Sequence, residues 1–217
     1  MELPRLYAIL DTAAYESRGF ALPEAAETLL GAGVRMLQYR HKAEFTEERF
    51  HEAQAIAENC RKIGALFFMN DRVDYACLLH CGVHLGQDDL PVMEARKVVG
   101  PDVPIGLSTH NAEQLRQAAT LPVDYVAVGP IFHTASKAKP DPVVGLSGVP
   151  VLRGLVHHPL VAIGGIHLES ALSVLDSGAD SVAVISGLFP ARHGDWDGLQ
   201  ALAHRWLETV NAGGRAL

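Results

Sequence analysis

The chain has little that would tie it to an oxidising compartment, a membrane or a polyanion. Only 3 of its 217 residues are cysteine, an odd number that suits free thiols in a reducing compartment better than a disulfide framework. No apolar run approaches the ~20 residues of a membrane-spanning helix. The apolar stretch nearest the N-terminus, Leu6 to Leu10, is too short for the core of a signal segment. Positive charge is the scarcer sign, with 18 Lys and Arg against 25 Asp and Glu and a formal balance of −7. A protein that grips a phosphate backbone needs the opposite balance. These deficits predict a cytoplasmic protein with neither membrane nor nucleic acid as a partner.

A Gly-x-Gly-x-x-Gly turn is also missing after the first strand candidate, which ends near Leu10, and this argues against a dinucleotide-binding open sheet. What the chain does have is 48% apolar residues, enough for one substantial core, so residues 1–217 are read as a single domain. Short apolar or β-branched runs begin near Leu6, Val34, Ala65, Gly82, Pro104, Asp124, Leu160 and Asp180. Stretches of 3.6-residue periodicity lie between them, such as Leu22, Ala25, Ala26, Leu29 and Leu30, or Leu168, Ala171, Leu172 and Leu175. A last helix with Leu199, Leu202, Ala203, Trp206 and Val210 on one face would close the ring. Eight strand-helix units in succession predict an α/β protein of the (β/α)8 TIM-barrel type. The widest interval, between Asp124 and Leu160, contains a polar, proline-bearing segment over 130–147 that is a candidate lid on the catalytic rim.

A barrel interior is filled by side chains, so chemistry is left to the C-terminal strand ends. Polar residues collect there: Gln38 to Lys42, Asn70 to Arg72, His84 to Asp89, Ser108 to His110, Thr134 to Lys137, Gly164 to Ile166, and Ser186 with Gly187. Loops after strands seven and eight commonly form a phosphate site, because glycine lets backbone N–H groups approach an oxyanion. Arg40, Lys42 and Lys137 bring positive charge to the same rim and point to a second anionic group. Asp71 and Asp89 sit at the ends of adjacent strands, where two carboxylates repel unless a cation lies between them. Oxygen ligands of this kind favour Mg2+, although one Asp could instead cap a helix. Cys77, His80 and Cys81 have a spacing that could set soft ligands on one helical face. With no second cluster to complete a zinc site, small buried helix side chains are the better reading.

The ordered set Gln38-x-Arg40-x-Lys42, Asn70-Asp71, His84-x-Gly86-Gln87-x-Asp89, Gly106-x-Ser108, Gly129-Pro130, Thr134-x-Ser136-Lys137, Gly164-Gly165-Ile166 and Ile185-Ser186 resembles the thiamine phosphate synthase family. The resemblance runs from strand two to strand eight. It implies a transferase that joins a hydroxymethylpyrimidine diphosphate to a thiazole phosphate, giving thiamine monophosphate and pyrophosphate. It further implies that Gln38, Tyr39, Arg40, His41, Lys42, Asn70, Ser108 and Lys137 hold the pyrimidine diphosphate. Thr134, Ala135, Ser136, Gly165, Ile185 and Ser186 would hold the thiazole phosphate, and Asp71 and Asp89 one Mg2+ per subunit. Ser108, Lys137 and Arg40 would act in catalysis. Ser136 stands where many members have threonine and keeps the hydroxyl, while His41 and His133 are given no chemistry of their own. Small-molecule substrates are the expected partners, and a homo-oligomer is compatible with the sequence.

Two rivals remain at this level. A thiazole tautomerase on the same barrel would share the glycine loops and use His110 as acid or base, but would need neither the aspartate pair nor the run from Gln38 to Lys42. A barrel that only binds a thiamine precursor and regulates another protein is the second. Other phosphate-binding barrels share the glycine loops without accounting for Gln38 to Lys42.

Overall fold

Each expected strand start becomes a parallel strand within two residues of its expected position. The strands are β1 (Leu6–Asp11), β2 (Met36–Arg40), β3 (Leu66–Asn70), β4 (Gly82–Leu85), β5 (Ile105–Thr109), β6 (Tyr125–Val128), β7 (Leu160–Ile163) and β8 (Ser181–Val184). In the computed structural model, which describes residues 2–134 and 141–212, they close in sequence order, with β1 paired to both β2 and β8. The helices are α1 (Thr12–Ser17), α2 (Leu22–Ala32), α3 (Glu47–Lys62), α4 (Val73–Leu79), α5 (Val92–Val99), α6 (Ala112–Ala118), α7 (Gly148–Arg153), α8 (Leu168–Asp176) and α9 (Trp196–Ala212). The chain is therefore a (β/α)8 barrel, as the alternation of periods predicts.

Local chemistry sets the helix ends. Thr46 caps α3 by accepting from the Arg49 N–H, while Glu47 and Glu48 open its first turn and Arg61 and Lys62 close its last. In α9 the predicted stripe is realised, with Leu199, Ala203, Trp206 and Val210 buried. This helix packs on α2 and α8 and so closes the outer ring beside β1.

Because side chains alternate along a strand, each strand serves two apolar layers. One layer lies between strands and helices and is continuous around the barrel. The other fills the barrel itself: Tyr7, Ile9, Met36, Phe68, Tyr125, Ala127, Val161 and Ala183. Two inward positions must be glycine for those rings to fit. A Cβ on Gly106 would lie 2.1 Å from the Tyr125 ring, and one on Gly82 would lie 2.4 Å from Phe68.

The Cys77, His80, Cys81 spacing does not form one helical face. Helix α4 ends at Leu79, His80 turns into the left-handed region at φ 50°, and Cys81 leads into β4. Cys77 and Cys81 are half-buried and His80 is exposed, so the three are not a buried helical set either.

Candidate active site

Above the interior layer, the inward positions of β1 to β5 turn polar: Asp11, Gln38, Arg40, Asn70, His84 and Ser108. With the loops beyond them they line a cavity of about 540 Å3 at the C-terminal end of the barrel. Of the residues expected from sequence, Gln38, Arg40, Lys42, Asn70, Asp71, Asp89, Ser108, Thr134, Gly165, Ile185 and Ser186 all face it. Ala135, Ser136 and Lys137 lie outside the described residues.

Two members of the Gln38–Lys42 run are directed elsewhere. Alternation sends Tyr39 outward, where it is fully buried and its hydroxyl donates to Glu52 of α3. The His41 ring bonds Thr12 Oγ1 at 2.7 Å and the Glu44 carbonyl at 3.0 Å. Neither side chain lines the cavity, so both are withdrawn from the substrate-binding set. A continuous run was read as one surface, whereas a strand presents it on two faces.

The described rim cations are both paired. Arg40 is ion-paired with Asp11, which also caps α1 by accepting from the Ala14 N–H at 3.0 Å. Lys42 Nζ lies 2.5 Å from Asp71 Oδ2. Asp71 itself holds a left-handed backbone at φ 63°, uncommon for a residue other than glycine, with its N–H bonded to the His84 carbonyl. Asp89 accepts from the Gly86 N–H at 2.6 Å. Burial first, and then the neighbouring Asp71 carboxylate, push the Asp89 carboxyl above its ordinary range. The described lining contains the cations Arg40 and Lys42 and the carboxylates Asp71, Asp88, Asp89 and Asp141.

Asn70 is also buried, and its Nδ2 meets no acceptor among the described residues. A buried donor without a partner costs about 1–3 kcal/mol, so the amide is set for an acceptor that arrives with a ligand.

The opposite wall is built from backbone. Gly164 and Gly165 both adopt positive φ after β7, and a Cβ on Gly165 would stand 2.4 Å from the His133 carbonyl oxygen. After β8, residues Ser186–Leu188 form a 3-10 turn, whose opening N–H groups have no acceptor within the turn. Trp206 of α9 buttresses it by donating Nε1–H to the Gly187 carbonyl at 2.8 Å. The described flanks of segment 130–147 are stitched down: Ile131 and Phe132 donate to Ile163 and Gly164, while Val144 and Gly145 donate to Pro130 and Ile131. His110 joins this wall, its Nδ1 2.8 Å from the Gly129 carbonyl and 3.6 Å from the Asp141 carboxylate.

Sequence reasoning missed Tyr7, Tyr125, Asp11 and Asp141. The two tyrosines occupy inward strand positions and are hydrogen-bonded to each other at 3.0 Å. The signal available was their period-2 register with Ile9 and Ala127.

One mouth therefore joins a glycine-and-turn wall suited to a phosphate with a wall of carboxylates and cations. That defines the class: a TIM-barrel enzyme that handles phosphorylated small molecules. Comparison with known proteins gives the particular family. A family model described as thiamine monophosphate synthase matches residues 6–188. A thiamine-phosphate synthase of Koribacter versatilis is 47% identical over 192 residues, covering 87% of this chain and 90% of that protein. Another, of Chloroflexus aurantiacus, is 38% identical over 188 residues, covering 86% of each. Among solved structures, thiamine phosphate pyrophosphorylase from Pyrococcus furiosus superposes with a TM-score of 0.83 at 30% identity, covering 96% of each chain. The chain belongs to the thiamine monophosphate synthase family, and it is an enzyme, a transferase of thiamine biosynthesis.

Proposed function

We propose that this enzyme couples 4-amino-2-methyl-5-hydroxymethylpyrimidine diphosphate to thiazole phosphate, and that its two walls divide the substrates between them. The observation that carries this reading is the asymmetry of the mouth. The wall with Arg40, Lys42 and the unpartnered Asn70 amide receives the diphosphate, and the wall with Gly165, Ile185 and Ser186 receives the monophosphate. Thr134, Ala135 and Ser136 complete the acceptor site, and Lys137 completes the donor site.

The donor wall fits Mg2+. Asp71 and Asp89 are hard oxygen ligands whose mutual repulsion a divalent ion would relieve. With four carboxylates and two cations on the described lining, a diphosphate meets net negative charge unless a cation accompanies it. No group of three or more His, Cys, Asp and Glu that could hold a metal ion occurs among the described residues; two carboxylates would leave the ion's other positions to water and substrate oxygens. When bound, Mg2+ supplies neutralisation of the diphosphate charge.

The protein's own part is to stabilise a departing anion and align the acceptor. The bond between the pyrimidine methylene carbon and the diphosphate oxygen breaks, its electron pair leaves with pyrophosphate, and the thiazole nitrogen donates its lone pair to the same carbon. No proton transfer is required. Lys42, Arg40 and Lys137 strengthen their contacts as negative charge gathers on the leaving oxygens, each charge-assisted contact contributing about 1.5–3 kcal/mol. Ser108 and Gln38 orient the pyrimidine, and the glycine wall holds the thiazole in reach of the carbon. Three free cysteines support a cytoplasmic setting.

Purified protein given both substrates and Mg2+ should release thiamine monophosphate and pyrophosphate in equal amounts, followed by chromatography and a phosphate assay. Isomerisation of a carboxylated thiazole phosphate alone, without coupling, would establish the tautomerase instead.

A further inference from the structure

The floor of the mouth contains a hydrogen-bond chain that neither phosphate site uses. Gln38 Nε2 donates to Tyr7 Oη at 2.8 Å. Tyr7 Oη and Tyr125 Oη are 3.0 Å apart, Tyr125 Oη and His84 Nδ1 2.7 Å, and His84 Nε2 and Ser108 Oγ 2.8 Å. Side chains from β2, β1, β6, β4 and β5 thus cross the barrel in one line. Both ends of the line, Gln38 and Ser108, open on the cavity.

Each inner member has one proton to place on a neighbour, and a buried proton without an acceptor is costly, so the direction at one end fixes the rest. Tyr7 receives the Gln38 N–H, so its own proton goes to Tyr125. The Tyr125 proton then goes to Nδ1 of His84, and the neutral imidazole carries its hydrogen on Nε2 and donates it to Ser108. Gln38 is left presenting Oε1 to the cavity, and Ser108 is left with a hydroxyl proton to donate. Reversal would present an amide N–H and a serine lone pair instead. Burial holds both tyrosines protonated, as the chain needs.

We propose that Tyr7, Tyr125 and His84 are positioning residues that lock the hydrogen-bond polarity of Gln38 and Ser108, making the pocket specific for an amino- rather than an oxo-substituted pyrimidine. An aminopyrimidine offers its exocyclic N–H to an acceptor such as Gln38 Oε1 and a ring nitrogen lone pair to a donor such as the Ser108 hydroxyl. The oxo counterpart sets a carbonyl oxygen where the amine stood, against another acceptor. This inference rests on the functional reading above.

The test compares kcat/KM for the aminopyrimidine diphosphate and its 4-oxo analogue in wild type, Tyr125→Phe and Tyr7→Phe, with circular dichroism and the KM for thiazole phosphate as controls. Wild type should prefer the amino compound by at least about a hundredfold. Each variant should lose at least about tenfold of that preference while its KM for thiazole phosphate stays within about twofold. Independently of any variant, the nitrogen NMR shifts of wild-type His84 should report the Nε2–H tautomer. An undiminished preference in a folded variant, or an Nδ1–H tautomer, overturns the relay alone. Wild type that makes no thiamine monophosphate from the amino compound overturns the functional reading and this inference with it.

Discussion

Gly165 shows how backbone space governs the wall proposed for the acceptor. Its φ of 64° lies in the left-handed region, and any Cβ there meets the His133 carbonyl oxygen at 2.4 Å and Phe132 Cβ at 2.8 Å. Carbonyl and backbone cannot swing aside as a flexible side chain could, so Gly165→Ala has to shift the segment after β6 or the loop after β7. Holding alanine in that conformation costs about 1–3 kcal/mol, and the displaced loop no longer offers its N–H groups at the same point. The variant should fold with a lowered Tm and show a KM for thiazole phosphate raised at least about tenfold, while the KM for the pyrimidine diphosphate changes by less than about threefold. Steady-state kinetics with each substrate varied in turn checks this. An equal rise in both constants would mean that the walls are not separate.

At the scale of the element, strand alternation separates binding from support. In β2, Gln38 and Arg40 face the cavity while Tyr39 between them reaches α3, where Glu52 also takes a 3.1 Å contact from Arg49 and Arg49 pairs with Glu16 of α1. Tyr39→Phe removes one hydrogen bond to a carboxylate that keeps its arginine, a loss of about 1–2 kcal/mol. Thermal scans should find Tm lower by about 3–6 °C, and kcat/KM should stay within about twofold of wild type. A larger kinetic loss would return Tyr39 to the substrate site. The same alternation explains how much could be read from sequence. The eight strands were legible because buried parallel strands are near-continuous apolar runs. Most cavity residues were legible because polar side chains at strand ends have no place in a core. Tyr39 and His41 were misplaced because motif reading treats neighbours as equals. Tyr7 and Tyr125 were hidden because an aromatic in a strand reads as packing; the chain they form depends on five strands meeting in register, which no single segment encodes. Asp11 was passed over because the end of β1 shows one acid among apolar residues, and its meaning comes from Arg40 on the neighbouring strand.

For the whole molecule, a net charge of −7 is distributed so that the active mouth is itself acidic on its described lining, an arrangement that couples stability to pH and, through the proposed Mg2+ site, to metal. Asp89 titrates above its ordinary range in the fold, so between that ordinary range and the raised one the folded state binds more protons than the unfolded state. Stability therefore falls as pH rises through this window, and the full cost is present at neutral pH. His84 works in the opposite sense: its value near 4 means that stability falls as pH drops from about 6.5 toward 4. Asp89→Asn removes the like-charge cost yet keeps an oxygen that can accept from the Gly86 N–H. In chelator at pH 7 the variant should melt above wild type, and the gap should narrow as pH is lowered toward 4 and Asp89 takes up a proton in the folded state. If Asp71 and Asp89 hold Mg2+ as proposed, adding it should reverse the order, because an ion that binds only the folded wild type at a hundred times its Kd adds about 2.7 kcal/mol, and the variant has lost one of the two proposed ligands. Thermal scans with and without Mg2+ at both pH values give all four comparisons. A variant that melts below wild type in chelator would show that Asp89 is secured by its Gly86 contact rather than strained by Asp71, and the electrostatic case for a cation between the two aspartates would fall.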